Sequence, residues 1–191
     1  MSALLHTPLP ALDDHEDDHV PKTLPAVIDA HVHLFPDKLF ASIWQWFEKF
    51  GWPIRYRLKS PDVIEFLLSR GVRRIVGLQY AHRPGVAAEL NAYMAKLCRS
   101  FPQLTGMATV FPGEEKAHQI LAQAFDYGLS GRRLLDSYDN LWLDTTMTLA
   151  DYLPFDNVPD LSTMRADRLI FGSDFPSLPY AWDRELQRIA A

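Results

Sequence analysis

The chain has 191 residues, of which 48% are hydrophobic and 12% aromatic, enough apolar material for one domain with its own core. Nineteen basic and 24 acidic residues give a formal net charge of -5, which argues against a nucleic-acid or membrane-surface partner and favours a small-molecule substrate. The single Cys98 excludes an intramolecular disulfide, and neither a secretory signal nor an apolar run of ~18 residues is visible, so we expect a cytoplasmic protein with no membrane partner.

Residues 1–25 differ in composition from the rest of the chain. The segment ALDDHEDDHV at 11–20 carries five carboxylates and two histidines, and prolines flank it on both sides. Such a segment has little apolar surface with which to offset the entropy cost of ordering. The composition therefore predicts a mobile acidic leader over 1–25, followed by a domain over 26–191.

Strand and helix patterns alternate from residue 26 onward. Predicted strands lie at 26–35, 73–81, 104–111, 140–147 and 168–176, and predicted helices at 37–50, 60–71, 86–101, 114–127 and 181–190. The alternation predicts an α/β fold with a parallel sheet, either an open doubly wound sheet or a (β/α)8 TIM-barrel type. Five strands and 191 residues are short of the eight strands and ~250 residues of a complete barrel, so we expect an incomplete one.

The stretch AVIDAHVHLFPD places His31 and His33 two positions apart at the end of the first strand. In a regular strand Val27, Asp29 and both histidines share one face, which makes that face polar toward its carboxyl end. Parallel α/β folds keep their chemistry at this end. Two imidazoles on one side of a strand suit a divalent ion such as Zn²⁺, although a purely structural pair remains an equal alternative.

A second candidate group follows the last predicted strand. In FGSDFP, Asp174 ends the strand, Gly172 leaves room on the same face and Pro176 stops the ladder. A carboxylate at this position is able to ligate a metal ion and to transfer a proton. A helix-cap or turn interpretation of Asp174 remains open.

Two further polar residues follow predicted strands. His82, in QYAHRPG after the second strand, is a candidate substrate contact, with an ordinary loop histidine as the alternative. Asp144 ends the strand NLWLDTTM and is a candidate for orienting a substrate or a ligand, with a turn or cap interpretation equally open.

The pair DAHVHLFP and LIFGSDFP resembles the amidohydrolase superfamily, specifically its amidohydrolase-related branch of metal-dependent hydrolases and decarboxylases. The resemblance covers residues 26–191. It implies a (β/α)8 barrel in which His31, His33 and Asp174 bind a divalent metal, usually zinc, and in which Asp174 is also the catalytic proton shuttle. It further implies hydrolysis or non-oxidative decarboxylation of a small carbonyl or carboxylate substrate.

The sequence departs from the family pattern in its second half. The family also takes histidine ligands from middle strands, whereas residues 119–191 contain no histidine. We therefore expect units to be missing near 128–139, a trimmed C-terminus, weak zinc binding and lost activity. Open sheet edges would favour a homo-oligomer. A catalytically inactive remnant and a small open α/β binding module remain the alternatives.

Overall fold

A computed structural model describes residues 9–111, 113–129, 143–146 and 169–191. In chain order its elements are β1 (Ile28–His33), α1 (Asp37–Phe50), α2 (Ser60–Ser69), β2 (Arg74–Leu78), α3 (Ala87–Ser100), β3 (Leu104–Gly106), α4 (Ala117–Asp126), β4 (Leu143–Asp144), β5 (Leu169–Ile170) and α5 (Arg184–Ala190). None of the helices in these ranges combines the length and the apolar character needed to cross a membrane.

The strands form two parallel sheets, one ordered β1-β2-β3 and one made of β4 and β5. The residues that follow β5 run along the free edge of β1. The N–H of His33 donates to the carbonyl of Phe175 at 2.8 Å, and Val32 forms a parallel bridge with Phe175. The spatial order is therefore β4, β5, β1, β2, β3, so that the first and last strands of the chain are neighbours.

These observations confirm the predicted α/β class with parallel strands. The described residues contain five strands and do not make up a complete eight-stranded barrel. The predicted missing units near 128–139 lie almost entirely outside the described part of the chain, as do half of the predicted 140–147 strand and the first residue of the 168–176 strand.

The core lies on the side of the first sheet that α2 and α3 cover. Val32 and Leu34 on β1 and just after it are fully buried, as are Ile75 on β2 and Met94 on α3. Burying each such side chain contributes about 1.5–3 kcal/mol relative to leaving it exposed. The histidines of β1 are only half-buried, so they do not belong to this apolar layer.

An irregularity in β1 breaks the strict alternation that the sequence predicts. The pairing of β1 with β2 shifts register between Asp29 and Val32. As a result Ile28 is 49% exposed whereas Asp29 is 1% exposed. When one strand of a pair contains an extra residue, the side chains that follow this residue point to the opposite sheet face from the one that the alternation before it predicts. Asp29 is thus buried, while His31 and His33 are half-buried.

Residues 9–25 make specific contacts with the domain, and the mobility predicted for residues 1–25 stays a prediction. Ala11 is buried and its N–H donates to the carbonyl of Pro179 at 2.7 Å. Asp14 forms an ion pair with Arg184 at 3.0 Å. The physical reason is that Asp14 meets a buried guanidinium, so that an ion pair contributes where apolar surface is scarce.

Glu16 strengthens this docking from a second direction. Its carboxylate lies 3.2 Å from the guanidinium of Arg55 and accepts a short hydrogen bond from the hydroxyl of Tyr56. The same hydroxyl accepts the N–H of Trp182 at 3.1 Å. The acidic segment, the loop before α2 and the segment before α5 therefore meet in one polar cluster.

Candidate metal centre

The structure brings His31, His33 and Asp174 together at the carboxyl ends of neighbouring strands. Each residue offers one ligand atom, and the three atoms lie within 4.8 Å of one another. The Oδ1 of Asp174 lies 2.9 Å from Nε2 of His33 and 3.7 Å from Nε2 of His31. The two imidazole rings stand nearly perpendicular, with centroids 5.0 Å apart.

These distances fit a shared divalent ion. Bonds of about 2.0–2.2 Å in a tetrahedral arrangement separate the donor atoms by about 3.3–3.6 Å. The two separations from Asp174, 2.9 and 3.7 Å, bracket that value, and all three donor atoms lie within 4.8 Å of one another, so side-chain shifts would bring them to one shared ion. Two imidazoles and one carboxylate also match the ligand chemistry of zinc and leave a coordination position open.

The backbone of Asp174 has a conformation that non-glycine residues rarely adopt. Its φ is +66°, in the left-handed region. Two hydrogen bonds hold it there: its N–H donates to the carbonyl of His31 at 2.9 Å, and its carbonyl accepts the N–H of Ser177 at 3.0 Å. Backbone strain of this kind is concentrated at functional sites, where the surrounding structure enforces it.

Asp29 joins the two chain segments that carry the candidate ligands. Its Oδ1 accepts the N–H of His31 and the N–H of Ser173, both at 3.1 Å. Burial raises the pKa of Asp29 to about 6, and hydrogen bonds from Ser173 and His31 offset part of that rise. The sequence placed Asp29 beside the histidines but gave no indication that it bridges to the last strand.

His31 contacts a second carboxylate on the side away from Asp174. Its Nδ1 lies 2.6 Å from Oδ2 of Asp144. Burial lowers the pKa of His31, but the hydrogen bond and charge of Asp144, with the charge of Asp174, outweigh it and raise that pKa overall. Burial raises the pKa of Asp144, and bonds from His31 and Thr146 outweigh that effect and lower it. Both sequence interpretations of Asp144 are supported: Oδ2 contacts the candidate ligand His31, and Oδ1 accepts the backbone N–H of Thr146 in a turn.

His82 is exposed in the loop after β2. Within the described part of the chain, no hydrogen bond or ion pair joins it to the three candidate ligands. Its role as a substrate contact stays a prediction.

Tyr80, which sequence analysis missed, lies closer to the site. Its ring stands edge-on to His33, with centroids 5.8 Å apart, and 47% of the residue is exposed. Burial and, secondarily, the charge of Asp174 raise the pKa of its hydroxyl. The sequence feature that could have identified Tyr80 is its position near the end of the predicted second strand, two residues before His82.

Comparisons with models of protein families, with curated proteins and with solved structures find no match to this chain. The fold and the site together therefore define a class by geometry: a parallel α/β protein with two histidines and an aspartate at the carboxyl edge of its central strands.

Proposed function

We propose that this chain binds one divalent metal ion, most favourably Zn²⁺, through His31, His33 and Asp174. We further propose that it is a metal-dependent hydrolase or non-oxidative decarboxylase of the amidohydrolase-related type, acting on a small carbonyl or carboxylate substrate. The observation that carries the proposal is the approach of three ligand atoms to within 4.8 Å of one another, from segments far apart in the sequence.

The position of the cluster supports this proposal. In parallel α/β folds the catalytic groups lie at the carboxyl ends of the strands. His33 is the last residue of β1, and Asp174 follows β5. The first and last strands of a closed (β/α)8 barrel are neighbours, and β1 lies next to residues 171–175 in this structure. We therefore propose that the chain is an incomplete member of that fold.

The roles of the protein groups follow from their chemistry. A bound divalent ion would supply Lewis acidity and lower the pKa of a water molecule toward ~7. Asp174 has two carboxylate oxygens, so one can ligate while the other accepts a proton and later returns it. Asp29 holds the two ligand-bearing segments together, and the ring of Tyr80 packs edge-on against His33.

A second candidate is a chain that binds metal without turnover. The absence of histidine from residues 119–191 favours it, because the family's middle-strand ligands are then missing. Three protein ligands nevertheless suffice for many catalytic zinc sites. Metal binding and turnover therefore need separate tests.

Isothermal titration of the chelator-treated protein with zinc tests the metal site. We expect one equivalent to bind with weak affinity, because the middle-strand ligands are missing, and we expect His33→Ala and Asp174→Asn each to weaken that binding further. His118→Ala is the matched control, because His118 is an exposed residue of α4. Absence of binding, or binding that survives in both site variants, would contradict the proposal.

Turnover is measured next, on zinc-loaded protein with a panel of amides, lactones and aromatic carboxylates. Zinc-dependent turnover that Asp174→Asn abolishes would support the enzyme. Stoichiometric zinc binding with no turnover on any of the three classes would support the second candidate instead.

A further inference from the structure

We infer that Asp144 is a positioning residue whose carboxylate fixes the tautomer and orientation of His31, so that the lone pair of Nε2 faces the candidate metal position. The expected effect of Asp144 on metal affinity rests on the proposed function. The tautomer itself is a property of the metal-free protein, and it is tested there.

The contact between Asp144 and His31 determines where the imidazole proton lies. An ionised carboxylate accepts hydrogen bonds and donates none. At 2.6 Å from Oδ2 of Asp144, Nδ1 of His31 must therefore carry the proton. A neutral imidazole has one N–H, so Nε2 keeps its lone pair. That atom is the one 3.7 Å from Asp174, on the ligand side of the ring.

Asp144 is itself held in place before any ligand arrives. Its Oδ1 accepts the backbone N–H of Thr146 at 3.0 Å and the hydroxyl of Thr146 at 2.6 Å. Pairing of Asp144 with Ile170 fixes the strand that carries it, and the N–H of Thr145 donates to the carbonyl of Ile170 at 3.0 Å. Oδ1 of Asp144 thus accepts the two hydrogen bonds from Thr146, and Oδ2 is left to contact His31.

Gly172 provides the space for this arrangement. A Cβ at that position would overlap Oδ1 of Asp144 and Oγ1 of Thr146, and would lie 2.6 Å from Cβ of His31. Any side chain there would push Asp144 and His31 apart. Gly172 therefore leaves the space in which Asp144 of β4 contacts His31 of β1.

His33 provides an internal reference. Its Nδ1 is buried, with no hydrogen-bond partner among the described residues. The two candidate ligands thus differ at Nδ1, because a carboxylate contacts Nδ1 of His31 and none contacts Nδ1 of His33, whose Nε2 lies 2.9 Å from Asp174. Carboxylates that orient a ligating histidine typically contribute about 10–100-fold to metal affinity.

Substitution of Asp144 by asparagine should reverse the tautomer of His31. The N–H and hydroxyl of Thr146 require an acceptor, so the amide oxygen is expected to face Thr146 and the amide NH₂ to face His31. Nδ1 then becomes the acceptor, and the proton moves to Nε2, where it opposes metal binding. Asp144→Ala leaves the tautomer unconstrained.

The experiment is ¹⁵N NMR of the imidazole side chains in chelator-treated protein at a pH where His31 is neutral, with His31→Ala used for assignment. We expect the Nδ1–H tautomer for His31 in the wild type, the Nε2–H tautomer in Asp144→Asn, and little change for His33. Asp126→Asn, an exposed carboxylate at the end of α4, is the control. Zinc titration of the same proteins should show an affinity about 10–100-fold lower for both Asp144 variants.

A role for Asp144 in stability alone would lower the denaturation midpoint and leave the tautomer unchanged, which would overturn the inference. An Nε2–H tautomer in the wild type would also overturn it. If zinc fails to bind but Asp144→Asn still reverses the tautomer, the positioning role stands and the proposed function fails.

Discussion

The carboxylate of Asp14 and the guanidinium of Arg184 lie 3.0 Å apart, with side chains that are only 5% and 2% exposed. This ion pair joins the acidic N-terminal segment to the first residue of α5. Removing one partner of a buried pair leaves the other charge in a poorly solvated position, which is far more costly than the loss of a surface pair.

Asp14→Ala should therefore lower the free energy of unfolding by about 1.5–3 kcal/mol, the contribution of a buried hydrogen bond between charged groups. Asp13→Ala, one residue earlier and exposed, should change it by no more than about 0.5 kcal/mol. Urea denaturation at pH 7 measures both. Similar midpoints for the two variants would show that the docking of residues 9–25 contributes little to stability.

The buried carboxyl of Asp29 should make stability depend on pH. Its pKa is raised from 3.8 to about 6 in the folded protein, so the folded state binds the proton more tightly than the unfolded state. The sign follows: stability is greatest below about pH 4 and falls as the pH rises to about 6, by about 2–3 kcal/mol for this group.

Asp29→Asn keeps an acceptor for the N–H groups of His31 and Ser173 and cannot ionise. We expect the variant to lose this part of the decline between pH 4 and pH 7, when unfolding is measured with chelator present. Because other groups also titrate, the informative quantity is the difference in slope between wild type and variant. Identical slopes would mean that Asp29 does not carry the effect.

Gly172→Ala should damage both stability and the metal site. The added carbon overlaps Asp144, so we expect an overpacking cost of about 1–3 kcal/mol and weaker zinc binding. Gly85→Ala is the comparison: it meets no atom within 4 Å, and its φ of +85° costs only backbone strain, about 1–2 kcal/mol. Denaturation and zinc titration together separate the two variants, and normal zinc affinity in Gly172→Ala would contradict the packing argument.

Zinc should stabilise the folded protein, and its removal should reverse the effect. A ligand present at 100 times its dissociation constant adds about 2.7 kcal/mol when it binds only the folded state. The shift in denaturation midpoint should persist in His118→Ala and vanish in His33→Ala. An equal shift in His33→Ala would place the stabilising ion elsewhere on the protein.

Local sequence patterns predicted the alternation of strands and helices, and they placed His31, His33 and Asp174 at strand ends; the metal-binding role of these residues stays a prediction. His31 and His33 follow from a two-residue period, and Asp174 from its place after a strand. The partner of His31 could not be chosen in the same way. Asp144 reaches it only because β5 lies between β4 and β1, and that adjacency is a long-range property of the fold.

The contacts of residues 9–25 with the domain were not predicted, for a related reason. Composition describes how much apolar surface a segment has, and by that measure the segment should be solvated. It does not reveal that Arg184, 170 positions from Asp14, forms a buried hydrogen bond with the carboxylate of Asp14. The irregularity in β1 likewise depends on the pairing with β2, which a single strand's period does not contain.

The hydrogen bond from Ser173 to Asp29 connects positions 144 residues apart. Contacts of such separation form late, because chain closure must be completed before they contribute any stabilisation. The two parts of the ligand set, one on β1 and one after β5, therefore meet only once the ends of the domain have met. During refolding, the capacity to take up zinc should appear after helices α2 and α3 have formed, so that metal uptake reports on the last stage of assembly.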